Sequence, residues 1–339
     1  MNTILTLVLI GLLAPKQVLV ERAFFVMGTN LEFKVYCENE KICNKAIFEA
    51  YSEVKKLDDI FSNYKDDSVL SNVNSRAGRG RTSVPQEFIE LTDQSLFFSG
   101  LTDGAFDITV GKAMELWKTG GEKNIMPGAD EIEKARECVG FKKIKLYPKE
   151  KQVELESPCT SLDFGGIGKG YAVDKAVAVL RSYDIEKGIV NFSGNIYAIG
   201  PPPGEDGWIV GVRHPGDGHR TFTSLKIRNM AIATSGDYEK YFEIKGKRFS
   251  HIIDPRSGLP VESVPSVTII SKSATEADAL STGFSVMGRH RIFELLENLN
   301  GVGVMIILKE ENKLSVHKSS FFKKFEVPYS QPEDLGAEF

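Results

Sequence analysis

Cysteine is scarce in this 339-residue chain, with only Cys37, Cys43, Cys138 and Cys159. Four is too few for a disulfide scaffold. No CxxC occurs, and no His/Cys spacing suggests zinc. Cys37 and Cys43 are close enough in sequence to pair after export, but buried thiols are the expected state of all four. Basic residues are scattered, and Lys323-Lys324 is their densest spot. With a formal net charge of −4, this argues against nucleic acid or an anionic membrane surface as a partner. The chain also lacks internal repeats, low-complexity linkers and any GxGxxG register. No apolar run reaches the ~20 residues of a comfortable membrane-spanning helix.

At 42% hydrophobic and 26% charged residues, the composition is that of a folded chain able to bury a large core. Ile4–Ala14 is almost wholly apolar and is closed by Pro15-Lys16. Its length suits the core of a signal peptide, and residues 1–20 are read as a signal peptide or an N-terminal membrane anchor. Met1-Asn2-Thr3 brings no basic residue, and no lipoprotein cysteine follows. A buried segment of the mature domain is the competing reading.

Beyond the leader, Leu31–Cys37 alternates like a strand and residues 44–61 carry a helical apolar stripe. Pro85 opens a second helix whose inner side is expected to carry Phe88, Ile89, Leu96 and Phe97. Residues 165–170 form a glycine cluster leading into a helix with Val173, Ala176, Val177 and Leu180 facing inward. The second half predicts short strands at 188–200, 208–213, 222–228, 230–234, 249–253 and 267–271, then helices near 274–286 and 292–299 and closing strands near 302–308 and 313–317. Helices and strands mix without a βαβ rhythm, so the fold class is α+β. One domain is expected over residues 21–330, followed by a tail at 331–339.

Three segments could carry chemistry. In Asp163-Phe164-Gly165-Gly166-Ile167-Gly168-Lys169-Gly170 the glycines allow close backbone approach, and amides at a helix start suit phosphate oxygens. Lys169 adds a positive charge there. This is not a Walker A loop: Asp163 replaces its first glycine and Gly170 its Ser or Thr. A plain strand-to-helix turn explains the segment equally simply. In residues 275–282, Asp278 and Thr282 lie on one helical face with Ser281 alongside, offering hard oxygen ligands of the kind magnesium takes. Ordinary helix N-terminal preference gives the same composition. In residues 250–258, His251 at a strand end could accept a proton near neutral pH. A structural histidine, with Asp254 and Arg256 paired to fix a turn, is the alternative.

Smaller segments accompany these, and their order is what matters. MGT (27–29), FSNY followed by DSVLSNVN (61–74), GAFDITVG (104–111), LDFGGIGKGYAVD (162–174), GN (194–195), ATSGDYEKYF (233–242), SHIIDPRSG (250–258) and DALSTGFSVMG (278–288) together resemble the ApbE family of FAD:protein FMN transferases. The resemblance runs from Met27 to about Gly288. It implies a single ApbE-like, T-fold-related domain of mixed helices and mostly antiparallel strands. It implies FAD contacts from Met27, Tyr64, Ala105, Phe106, Asp107, Asp163, Lys169 and the backbone of Ile252. It implies Mg2+ held by the Gly166 carbonyl, Asp278 and Thr282, with Ser281 beside them, and His251 as the proton acceptor. The implied reaction attaches FMN to a Thr or Ser of an acceptor flavoprotein, such as a subunit of a membrane redox complex of Nqr or Rnf type, and releases AMP. The implied location is periplasmic or otherwise extracytoplasmic, with inner-membrane anchoring if the leader is retained. FAD hydrolysis to FMN and AMP, or non-catalytic FAD carriage in the periplasm, are the competing functions. Gly168, where many relatives have Ala, and Lys112, where proline is frequent, are small departures.

Overall fold

The computed structural model describes residues 17–328 apart from 216, 237–240, 263–265 and 311–312. The apolar core of the expected leader and the expected tail lie outside the described residues. The first strand begins at Val18, ahead of the expected domain start at residue 21.

An eight-stranded antiparallel sheet organises the chain, and its spatial order is its chain order. The strands are Val18–Val26, Thr29–Cys37, Lys187–Phe192, Asn195–Ile199, Met230–Gly236, Ser266–Ser271, Gly303–Glu310 and Lys313–Lys318. Residues 188–200, expected as one strand, are two, joined by a two-residue turn. Ser193 (φ 51°) and Gly194 (φ 88°) form it between the paired residues Phe192 and Asn195. Met27 (φ 48°) and Gly28 (φ 72°) make a similar turn between the first two strands. Both have the positive φ angles that match the twist of a hairpin.

The sheet is covered on both faces, which is why its inner strands read as continuous apolar runs. Val267, Ile269, Val304 and Ile306 point into the main core, where the long helices pack. Their neighbours Ile270, Met305 and Ile307 point to a second core with Val210, Val212, Leu225, Ile227 and Phe322. That second core lies under a three-stranded sheet of Trp208–His214, Asp217–Ile227 and Glu326–Val327.

The helical layer contains Glu40–Phe61, Gly168–Ser182 and Ala274–Val286, with Gln86–Leu101 beside them. The first of these starts at Asn39, whose side chain accepts from the Lys41 amide, and it buries Cys43, Ala46, Ile47, Ala50, Val54, Leu57 and Phe61 at helical spacing. In Gln86–Leu101 the inward side is Phe88, Ile89, Leu91 and Phe98. Phe97, expected inside, is 62% exposed, because Phe98 takes the inner position one residue on. Helices Gly111–Lys123 and Ala129–Glu137 were not legible in the sequence. The first buries Ala113, Trp117 and Gly120 along one face but carries Gly120 and Gly121, which weaken a helical reading, and the second buries no residue.

The expectation of unpaired thiols is overturned. Cys37 bonds to Cys43 and Cys138 to Cys159. Strand Thr29–Cys37 ends beside the first turn of helix Glu40–Phe61, and this brings Cys37 and Cys43 together. The second pair lies 21 residues apart in sequence. Among the described residues, no helix is long and apolar enough to cross a membrane.

Candidate active site

Two helix starts meet beneath the sheet and hold each other. Helix Gly168–Ser182, which follows the glycine turn, has no capping side chain of its own at Ile167. Its Gly170 amide donates instead to Asp278 Oδ2 of helix Ala274–Val286, at 2.8 Å. In return, Asp174 of the first helix accepts from the Ala274 and Thr275 amides (2.9 Å each), the Ser273 hydroxyl (2.7 Å) and the Thr275 hydroxyl (2.6 Å). A carboxylate from each helix thus meets the positive end of the other's dipole. The contact is close because Gly170 has no side chain. A Cβ there would lie 2.2 Å from the Ala274 carbonyl oxygen and 2.7 Å from Asp278 Cβ.

This crossing brings together the residues expected to bind a cation. Thr282 Oγ1 lies 3.3 Å from the Gly166 carbonyl oxygen, one helical turn beyond Asp278. Ser281 is fully buried, bonded to the Asp278 carbonyl at 2.9 Å and to Ser235 Oγ at 2.8 Å. Its hydroxyl therefore braces the helix against strand Met230–Gly236. Asp278 is 4% exposed. Burial pushes its carboxyl above the usual carboxylate range, and the nearby Asp174 adds to that. The Lys169 charge, the Gly170 amide and a hydrogen bond from the Asn195 side chain pull the other way. Among the described residues there is no cluster of three His, Cys, Asp or Glu side chains able to hold a metal. The set consists of one carboxylate, one hydroxyl and one backbone carbonyl, all hard oxygen donors, which suits magnesium rather than zinc.

The loop 104–111 runs alongside the glycine turn. The Asp163 amide donates to the Ile108 carbonyl at 2.7 Å, and the Gly111 amide to the Ser161 carbonyl at 3.0 Å. Asp107 is buried and its oxygens are engaged within the protein: Oδ1 by the amide and hydroxyl of Thr109, Oδ2 by the Phe141 amide at 2.7 Å. Burial raises its pKa against those bonds. It therefore shapes the loop. Ala105 and Phe106 are buried, and Phe106 packs against the acidic helix, where a Cβ on Gly283 would approach its Cβ to 3.0 Å. Asp163 Oδ1 accepts from the Gly165 amide at 2.6 Å, and Lys169 Nζ reaches the Gly165 carbonyl at 3.3 Å.

The remaining expected residues lie further out along the chain. Met27 is half-buried in the first hairpin turn against the main core. Tyr64 is 83% exposed just beyond the first long helix, with the Lys118 ammonium 5.0 Å from its ring centre. Residues 249–253, expected as one strand, divide into Lys247–Ser250 and Ile253–Asp254, with half-buried His251 in the break. The Ile252 amide donates to Ser250 Oγ at 3.1 Å, and its carbonyl accepts from Val261 at 2.9 Å. Asp254 and Arg256 do pair, through two 2.9 Å side-chain bonds, and Arg256 Nη2 also reaches the Val286 carbonyl at 3.3 Å. The His251 segment is thereby tied to the end of the acidic helix.

The ApbE family model matches residues 27–306. The chain belongs to the ApbE family. It is 31% identical to the FAD:protein FMN transferase of Treponema pallidum over 86% of this chain and 84% of that protein. It is 32% identical to the Vibrio cholerae enzyme of the same name, covering 88% and 90%. The fold is similar to the crystal structure of the ApbE protein of Thermotoga maritima, with TM-score 0.82 and 34% identity over 91% of this chain and all of that one. It is also similar to the flavin transferase ApbE from Vibrio cholerae, with TM-score 0.80 and 30% identity over the same shares.

In this ApbE protein, three polar residues that the sequence reading passed over complete the site. Asp174 and Ser235 hold the acidic helix, and Asn195 holds Asp278. All three lie inside the recognised motifs. What could have singled them out is a polar residue in a stretch that otherwise buries its side chains; their partners, 46 to 101 residues away in sequence, could not be read locally. The Gly168 departure is structurally mild, since a Cβ there meets only Phe164 Cβ at 3.6 Å.

Proposed function

We propose that this ApbE-family flavinyltransferase binds FAD with Mg2+ and transfers the FMN half to a threonine or serine hydroxyl of an acceptor flavoprotein, releasing AMP. The observation that carries this reading is the convergence of the Gly166 carbonyl, the Asp278 carboxylate and the Thr282 hydroxyl at one helix crossing. These three would hold the cation, whose bound charge neutralises the pyrophosphate.

The chain's own residues do the rest. The glycine turn presents a backbone that phosphate oxygens can approach closely, and Lys169 can swing from the Gly165 carbonyl toward them. Loop 104–111, braced by Asp107, forms the neighbouring wall, and the exposed ring of Tyr64 offers a face on which a flat heterocycle can stack. The acceptor hydroxyl oxygen bonds to the FMN-side phosphorus while the phosphorus–oxygen bond to AMP breaks, and the electron pair of that bond leaves with AMP. His251 takes the hydroxyl proton. Positioning and fixed charge supply most of the catalysis in such a transfer. The two disulfides support an extracytoplasmic location, where acceptor subunits of membrane redox complexes would be met.

The test is mass spectrometry of a co-expressed acceptor protein with FAD and magnesium. A covalent FMN adduct on Thr or Ser is expected with the wild-type chain and none with Asp278→Ala. Full transfer by Asp278→Ala at limiting magnesium would overturn the cation site. FMN and AMP released at the same rate with or without acceptor would assign hydrolysis instead.

A further inference from the structure

Asn195 stands at the start of strand Asn195–Ile199, immediately after the Ser193-Gly194 turn. The turn fixes it: Asn191 accepts the Gly194 amide at 3.0 Å on the preceding strand. Asn195 is 4% exposed, on a strand packed against helix Ala274–Val286, and its side chain lies beside the Asp278 carboxylate, where a hydrogen bond from it favours the charged form. An ionised carboxylate only accepts, so the amide must turn its NH2 toward Asp278. The other end of the same amide is then an acceptor beside that carboxylate. Among the described residues this Oδ1 has no hydrogen-bond partner, though it is buried. Buried polar atoms are normally satisfied, and an exception next to a set of hard oxygen donors points to a ligand.

We infer that Asn195 is a positioning residue of the cation site: its NH2 orients Asp278, and its Oδ1 accepts a hydrogen bond from a water carried by the ion. This rests on the cation reading of Gly166, Asp278 and Thr282. Magnesium keeps several of its waters when bound by one or two carboxylates, and such waters need acceptors. Residues that orient metal ligands without touching the metal typically contribute a factor of about 10–100 in affinity. An amide can donate to the carboxylate from its nitrogen and accept from the water at its oxygen, two separate atoms held in one plane.

The experiment is titration of the purified full chain with Mn2+ alone, with free ion counted by electron paramagnetic resonance, on wild type, Asn195→Leu and Asn195→Asp. Wild type is expected to bind one ion. Asn195→Leu, which loses both donor and acceptor, is expected to bind about 10–100-fold more weakly. Asn195→Asp, which loses the donor but keeps an acceptor, is expected to bind at least as tightly as wild type. It should also show a larger rise in melting temperature with Mn2+, because the ion separates two otherwise repelling carboxylates. Asn195→Leu binding Mn2+ like wild type would overturn the inference while leaving the cation site standing. So would Asn195→Asp falling as far as Asn195→Leu, since donation to Asp278 would then be the whole role. If Asn195→Leu fails to fold, Asn195→Asp decides alone. Wild type binding no Mn2+ would remove the cation reading, and this inference with it.

Discussion

Gly170→Ala tests the helix crossing directly, with Gly168→Ala as its internal control. The added methyl at position 170 would sit 2.2 Å from the Ala274 carbonyl oxygen and 2.7 Å from Asp278 Cβ. Non-bonded heavy atoms settle near ~3.5 Å, so the helices must part by about 1 Å. Both neighbours belong to the partner helix backbone or its first side-chain atom, and neither can swing away. Overpacking of this kind costs about 1–3 kcal/mol. The same displacement carries Asp278 and Thr282 away from Gly166, and a shift of ~1 Å in a catalytic constellation can cost about 100-fold in rate. Position 168 differs by only two residues, yet a methyl there meets ordinary contact with Phe164 Cβ at 3.6 Å. Removing its backbone freedom should stabilise the protein by about 0.4–1 kcal/mol. Urea unfolding gives the stabilities, and single-turnover flavin transfer gives the rates. The expected outcome is a destabilised Gly170→Ala with transfer reduced by about two orders of magnitude, and an unchanged or stabler Gly168→Ala. A Gly170→Ala protein with wild-type stability and rate would show that the crossing is looser than described and does not set the site.

Further outcomes follow from the same contacts. Asp174→Ala leaves two amides and two hydroxyls at the acidic helix start without their acceptor, so urea unfolding should show a loss of about 1–3 kcal/mol, with weaker Mn2+ binding as Asp278 shifts. The raised pKa of Asp278 acts with opposite signs in the two states of the protein. Without metal, its contribution to stability is fully present below the unfolded-state value of ~3.9 and is lost as pH rises through the higher folded value. If Asp278 holds the ion as proposed, binding needs the carboxylate, so the magnesium requirement should climb about tenfold per pH unit below that folded value. Melting curves of wild type and Asp278→Asn against pH, in chelator and in magnesium, should show the difference reversing sign. Replacing Cys138 and Cys159 by serine should cost about 3 kcal/mol in urea unfolding, as expected for opening a loop of 21 residues.

Local periodicity exposed the first long helix, the glycine-turn helix and the acidic helix because each buries a coherent set of side chains. It blurred where a turn was too short to interrupt it. Ser193-Gly194 sits inside an apolar run, so two strands read as one. It failed at Phe97 and Phe98, where either ring could have been the inner one and only packing selects Phe98. The cysteines misled through composition alone: nothing in their spacing reveals that Cys138 and Cys159 are brought side by side.

By itself, then, the amino-acid order determined the family, the α+β class and the identity of the glycine turn and acidic helix, since these depend on residue types at short spacing. Tertiary structure alone decided that Gly170 lets the two helices touch, that Asp174 and Asp278 cap each other's helices, and that Asn195 and Ser235 stand beside Asp278 and Ser281. Those contacts join residues up to 108 positions apart. Their geometry is set by how a sheet and three helices pack, which no local pattern encodes.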